Sequence, residues 1–179
     1  MQLASFRITN GGRKTIGAFV GHCYVDLHAL TGGQFISNAS SSQGILYAME
    51  SHYVTVGKKI GGFVMQVAAR VVSKHSLNVM AGHDDVYALL SAGYTIMFGS
   101  NPQEAADLAA IAYRTSALSL IPVANAMDGF STSHMLSEAQ LPEPELLREY
   151  LGDPAGRIQS PTVAQDVLFG AKGRVFQLN

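Results

Sequence analysis

Cysteine is almost absent: Cys23 is the only one in 179 residues. That excludes a disulfide framework within the chain and any site built from several of its own thiolates. Charge is scarce as well. Asp, Glu, Lys and Arg make up 14% of the chain, well below the usual quarter of a soluble protein, while hydrophobic residues reach 47%. With 12 basic and 13 acidic side chains the formal net charge is −1, so there is no electrostatic case for a nucleic-acid partner. Long apolar runs are missing too. The nearest, from Leu118 to Met127, is far shorter than the ~18 residues a membrane-spanning helix needs. No cationic segment precedes an apolar stretch at the start, so neither a membrane partner nor a leader is expected. The expectation is a cytoplasmic domain or subunit that buries apolar surface against partners, and a homo-oligomer is compatible with it.

A chain of this length suits one domain with a small appended element. Its first thirty residues hold short β-leaning runs, Leu3 to Ile8, Thr15 to Val20 and Cys23 to Leu27. Asn10-Gly11-Gly12 and Gly21-His22 separate them, and an Asn-Gly pair favours the positive φ angles of a hairpin turn. A small antiparallel β meander over 1–33 is predicted. From Ser40 the rhythm becomes alternating strand and helix. Ser40, Ser41 and Ser42 are N-cap candidates for a helix running to about Tyr53. Strands are predicted at Gly61 to Ala68, Tyr94 to Phe98 and Ile121 to Met127, with a short helix at Asp84 to Ala92 stopped by Gly93. The clearest helix start has Asn101 as cap, Pro102 at the first helical position and Glu104 three residues past the cap. Pro142 and Pro144 open a last helix ending near Gly152. This alternation predicts an α/β fold, a mostly parallel sheet with helices on both faces over 34–152. Residues 153–179 read as a tail or docking segment.

Several residues could carry chemistry. Arg70 ends a predicted strand among apolar neighbours, and ligands of open α/β sheets gather beyond the strands' carboxyl ends. A guanidinium there can grip a carboxylate in a bidentate pair; a structural salt bridge is the competing reading. His83 with Asp84 and Asp85, and Asp128 with His134, invite a metal reading, but the spacing fits no standard zinc or facial-triad pattern. Helix capping by Asp84 or Asp85, with His83 bonded to a carbonyl, explains them as well. The serine-rich turn before Gln43-Gly44 could meet an anion through free helix N–H groups, or serve only as a cap. Cys23 reads as a small core residue, and His22 and His28 as surface groups.

Four words in order, Asn38-Ala-Ser-Ser-Ser-Gln-Gly44, Val67-Ala-Ala-Arg70, Gly82-His83-Asp84 and Asp128-Gly-Phe-Ser-Thr-Ser-His134, resemble the pyrimidine-binding domain of pyruvate:ferredoxin (flavodoxin) oxidoreductases. The resemblance implies oxidative decarboxylation of a 2-oxoacid to an acyl-CoA. It implies thiamine diphosphate as a cofactor shared with a partner domain, and iron–sulfur clusters on partners, with ferredoxin or flavodoxin beyond them. It implies that Arg70 contacts the substrate, and that His83, Asp84, Asp128, Thr132 and His134 line the cofactor cavity. Family sequences usually read Asp-Gly-Phe-Arg-Thr-Ser-His, so Ser131 stands where an arginine is usual. The family's cofactor-activating glutamate lies upstream of the Ser-Gln-Gly turn, where this chain has its β-rich segment; Glu50 comes after the turn and does not match. That glutamate, the diphosphate half and the cluster cysteines are expected from other domains or subunits. No catalytic residue is assigned within the chain.

The opening words Leu3-Ala-Ser-Phe-Arg7, Ile16-Gly17 and Val25-Asp-Leu27 resemble the start of fumarylacetoacetate-hydrolase-family proteins. That implies a hydrolase or isomerase alternative that binds a divalent metal. A non-catalytic assembly domain is the other rival. The later words Leu151-Gly-Asp-Pro154, Ser160-Pro-Thr162 and Leu168-Phe-Gly170 extend the oxidoreductase resemblance.

Overall fold

The computed structural model describes residues 35–57, 59 and 61–152, and the backbone of three strands nearer the amino terminus. Those three are β1 (Leu3–Arg7), β2 (Lys14–Val20) and β3 (Cys23–Asp26), paired antiparallel in the order β1-β2-β3. The pairing runs from Leu3 opposite Ala18 to Arg7 opposite Lys14, and from Gly17 opposite Asp26 to Val20 opposite Cys23. The meander is as predicted; its turns, His22, His28 and everything from Asp153 onward lie outside the described residues.

A second sheet holds β4 (Ile36–Ser40), β5 (Phe63–Ala69), β6 (Thr95–Gly99) and β7 (Val123–Asp128) in the order β4-β5-β7-β6. Every pairing in it is parallel. The helices are α1 (Gln43–Tyr47), α2 (Met49–Gly57), α3 (Asp84–Ala92), α4 (Pro102–Ser119) and α5 (Pro144–Leu151). Alternation along β5 divides the core. Phe63, Met65, Val67 and Ala69 point to one face, where they meet Ile45, Val86 and Leu89 from the helices. Val64 points to the other, beside Val123 of β7 and Ala112 of α4. Ile45, Met65 and Leu89 are fully buried, and each such side chain stabilises by about 1.5–3 kcal/mol. Helices α1, α2 and α3 thus cover one face and α4 the other, with α5 outside α4.

Caps decide where the elements begin and end. Asn101 accepts from the Glu104 N–H at 2.9 Å, and Pro102 occupies the first helical position, as expected. The Glu104 carboxylate bonds back one residue further than expected, to the N–H and hydroxyl of Ser100, both at 2.8 Å. Gly93 ends α3 in the left-handed region at φ 97°.

The segment around Ser40 departs from its reading. Residues 36–40 form strand β4, which local propensity hides because Ser, Asn and Ala are poor strand formers. Pairing with β5, Ile36 opposite Phe63 through Ser40 opposite Val67, overrides it. The single helix expected to Tyr53 is two short ones broken at Ala48. Ser42 occupies the cap position but makes no side-chain cap bond. Its hydroxyl reaches Val71 O at 2.7 Å and the Gln43 side chain instead.

Candidate functional site at the strand carboxyl ends

Loops leaving β4 and β5 lead to α1 and α3 on one face, whereas those leaving β6 and β7 lead to α4 and α5 on the other. The loops therefore part between β5 and β7, which are neighbours in the sheet. A crevice beyond the carboxyl ends at such a switch point is where α/β sheets bind ligands. Arg70 follows β5 at that edge, and Asp128 and Gly129 follow β7.

The ends of β5 and β7 touch closely there. Gly129 N–H donates to Ala69 O at 3.0 Å. A Cβ at position 129 would lie 2.4 Å from Ala69 O and 2.7 Å from the Arg70 Cγ, so the arginine stem crosses a space only glycine leaves free. Arg70 is half-buried, and its Nε is buried without a hydrogen-bond partner. Continued alternation from β5 puts Arg70 on the α4 side with Gln66 and Ala68. On that side a cleft of about 390 Å3 is lined by Ala39, Ser41, Gln66, Ala68 and Met127. Its floor is fixed by Asn125, whose amide donates to Gln66 Oε1 and to Ala105 O, both at 2.9 Å.

Asp128, Thr132 and His134 share one tight turn. The Asp128 carboxylate accepts the N–H groups of Phe130 (2.8 Å) and Ser131 (2.5 Å) and the Ser131 hydroxyl (2.7 Å). These bonds hold its pKa below the usual carboxylate range, the Ser131 hydroxyl foremost, with a smaller contribution from nearby His83. Ser131 therefore closes the turn on Asp128. Thr132 is buried, whereas His134 is exposed, stacked on Phe130 with ring centroids 5.0 Å apart. His83 packs edge-on against Phe98 of β6, also at 5.0 Å.

Asp84 stands apart from this group. It accepts from Val72 N–H at 2.9 Å and pairs with Lys74 at 3.2 Å, and the Val72 bond, then Lys74, lowers its pKa. Neither it nor Asp85 caps α3; His83 holds that position. The residue that sequence reasoning underrated is Asp85, which is fully buried. It lies on the same helical face as Leu89 and Ala92, and that spacing was the available signal.

The family described as pyruvate flavodoxin/ferredoxin oxidoreductase, thiamine diP-bdg, that is, thiamine-diphosphate binding, matches residues 20–172. The chain belongs to this family. It is 34% identical over 127 residues to a pyruvate-flavodoxin oxidoreductase of Klebsiella pneumoniae, covering 71% of this chain and 11% of that protein. It is 32% identical to the Nostoc pyruvate-flavodoxin oxidoreductase over 69% of the chain and 30% of that protein. A pyruvate:ferredoxin oxidoreductase of Moorella thermoacetica is 31% identical over 65% and 10%. The chain thus spans about a tenth of most of these relatives. Membership of this thiamine-diphosphate-binding family, in relatives several times longer than this chain, is what the matches establish.

The described residues meet the cofactor's needs only in part. The His83–Phe98 and Phe130–His134 ring pairs present flat apolar surface near the crevice. Activation of the aminopyrimidine needs a buried acid against its N1′ atom, and the acids here are all engaged. Asp85 is held by backbone N–H groups, Asp84 by Val72 and Lys74, and Asp128 by its own turn. Among the described residues, no group of three or more His, Cys, Asp or Glu comes together to hold a metal, and no helix is long and apolar enough to cross a membrane.

Proposed function

We propose that this chain supplies the substrate- and pyrimidine-side wall of a thiamine-diphosphate site for oxidative decarboxylation of a 2-oxoacid, and is inactive alone. Residues 34–152 form the working domain, with 1–33 and 153–179 as appended segments. A partner domain or subunit brings the activating glutamate and the diphosphate half. Iron–sulfur clusters on partners pass electrons towards ferredoxin or flavodoxin in the cytoplasm.

The observation that carries this reading is Arg70 at the β5–β7 switch point, its stem over Gly129 and its Nε buried without a partner. A buried guanidinium nitrogen lacking an acceptor is costly, and a 2-oxoacid carboxylate would supply acceptors in bidentate geometry. His83, Asp128, Thr132 and His134 line the neighbouring wall, and Asp84 shapes the loop between β5 and α3. Completion from outside fits the loops around the crevice, which expose Leu77, Met80, Met135 and Leu136; apolar rims of this kind mark contact surfaces.

Arg70→Met in an assembly reconstituted with partner subunits tests the proposal. Losing a charge-assisted pair costs about 1.5–3 kcal/mol, or roughly a 10- to 150-fold fall in kcat/KM for the oxoacid. Unchanged KM and turnover would remove Arg70 from the mechanism. The rival reading, an assembly domain without catalysis, is favoured by the engagement of Asp84, Asp85 and Asp128 near the crevice. Calorimetric titration with thiamine diphosphate and magnesium separates the two, since absence of heat with every partner combination supports the rival.

A further inference from the structure

The group that ties the site together is one the sequence reading left in the background. Asp85 is fully buried at the start of α3, yet its carboxylate faces three separate segments. Its Oδ2 accepts the N–H of Ser42, in the turn after β4, at 2.7 Å. The same oxygen accepts the N–H of Arg70, at the end of β5, at 3.0 Å. Its Oδ1 accepts Val86 N–H on its own helix at 2.8 Å. A second thread runs alongside, because the Ser42 hydroxyl donates to Val71 O at 2.7 Å. Ser42 is buried and held at φ 50°, a left-handed conformation that a non-glycine residue keeps only when its surroundings impose it. The end of β5 is also pinned by a bridge between Arg70 and Ala81, with Val71 N–H donating to Met80 O at 3.2 Å.

A fold needing only a closed core could fill this place with an apolar side chain. A buried carboxylate is costly unless its oxygens are satisfied, and here they are satisfied by the backbone N–H groups next to the crevice. We infer that Asp85 is the positioning residue of the substrate site: through the Arg70 and Ser42 amides it sets the backbone from which the Arg70 guanidinium reaches the 2-oxoacid carboxylate. The inference rests on the reading of Arg70 given above. Asp85 itself touches no substrate; it acts through Arg70. Asp107, exposed on α4 and accepting from Gln103 at 3.0 Å away from the crevice loops, serves as an internal control.

The test uses the full chain, labelled with nitrogen-15, and follows the Arg70 Nε–H resonance, assigned by its loss in Arg70→Lys. Pyruvate is the probe, and acetone, which has the ketone without the carboxylate, is the reference. In folded Asp85→Asn, one N–H acceptor becomes an NH2 group facing N–H donors. The Arg70 signal should then shift or broaden and pyruvate should bind at least about tenfold more weakly, with acetone unaffected. Asp107→Asn should change neither. If Asp85→Asn does not fold, Asp85→Glu takes its place: it keeps the charge, but the longer side chain cannot leave one oxygen on both the Ser42 and Arg70 N–H groups, so the same responses are expected. An unchanged Arg70 signal in the folded variant overturns the positioning role even if wild-type pyruvate binding is intact. Equal weakening of pyruvate and acetone overturns it too, since that marks general damage. A wild-type Arg70 signal indifferent to pyruvate, alone or with partner subunits, instead defeats the reading of Arg70 as an oxoacid ligand. The response of that signal to Asp85→Asn then still decides whether the carboxylate holds the arginine.

Discussion

Adding one methyl group at Gly129 tests the close approach on which the crevice depends. In Gly129→Ala the new Cβ would fall 2.4 Å from Ala69 O, 2.7 Å from Arg70 Cγ and 3.1 Å from the Ala69 carbonyl carbon. The Arg70 stem is flexible enough to move, but the Ala69 carbonyl belongs to the β5–β7 ladder and accepts Gly129 N–H at 3.0 Å. The backbone must therefore open by several tenths of an ångström. Overpacking of this kind costs about 1–3 kcal/mol, and weakening the Gly129 bond adds about 1 kcal/mol, so a loss of about 2–4 kcal/mol is expected. In urea, with a slope of about 2 kcal/mol/M, the midpoint should fall by roughly 1–2 M. Gly57→Ala is the matched control, because a Cβ there meets nothing within 4 Å; it should be neutral or stabilise by up to about 1 kcal/mol. Arg70→Ala combined with Gly129→Ala should recover only part of the loss, since the clash with Ala69 O remains. Gly129→Ala as stable as Gly57→Ala would refute the packing argument. Full recovery in the double variant would place the whole clash on the arginine side chain.

Acid should weaken the fold through His52. Buried on α2, with Nδ1 2.9 Å from the Tyr94 hydroxyl, it has its pKa pushed down by burial to about 4. The unfolded chain, with a histidine near 6.5, binds the proton first, so stability is full above about pH 6.5 and falls towards pH 4, by up to about 3 kcal/mol. His52→Phe should flatten that stretch of the urea-midpoint profile, and an unchanged slope would contradict the assignment. Ser116 is fully buried, accepting Gly62 N–H at 2.9 Å and donating to Phe63 O at 3.2 Å. Ser116→Ala should cost about 1–3 kcal/mol in thermal or urea unfolding, while Ser91→Ala, an exposed residue whose hydroxyl donates to Tyr87 O one turn back on α3, should stay within about 0.5 kcal/mol.

Elements with strong local punctuation were readable from the chain alone. Asn101 and Pro102 at the start of α4, and Gly93 at the end of α3, act within one turn of the backbone, so their residue types determine the outcome. The parallel sheet followed from the alternation of apolar runs with helical stretches. Strand β4 was not readable, because Ser37, Asn38, Ala39 and Ser40 take their conformation from hydrogen bonds to β5, more than twenty residues away. The unusual backbone at Ser42 has the same origin: the α1 entry is bonded to Asp85 and Val71, not to its own cap. Local propensity carries no information about such distant partners.

The candidate site divides along the same line. Arg70 and the Asp128 turn could be placed because they end strands, and strand ends are where these sheets present ligand-binding groups. What could not be read is which side of the sheet each would face. Arg70 joins Gln66 and Ala68 on the α4 side, while His83 comes from the α3 side and lies close enough to Asp128 to affect its charge. The site is therefore a ridge at the β5–β7 junction with groups on both flanks, and not one pocket lined evenly by all of them. The cleft lined by Gln66 and Ala68 lies on the Arg70 side, and Gly129 stands between it and His83. The side chain missing at Gly129 leaves the space that the Arg70 stem crosses. Asp84, Asp85 and Asp128 beside this ridge are each engaged by backbone or side-chain donors, so on the proposed reading a carboxylate-bearing substrate would be oriented here while its proton chemistry would come from a polypeptide packed against the exposed Leu77, Met80, Met135 and Leu136.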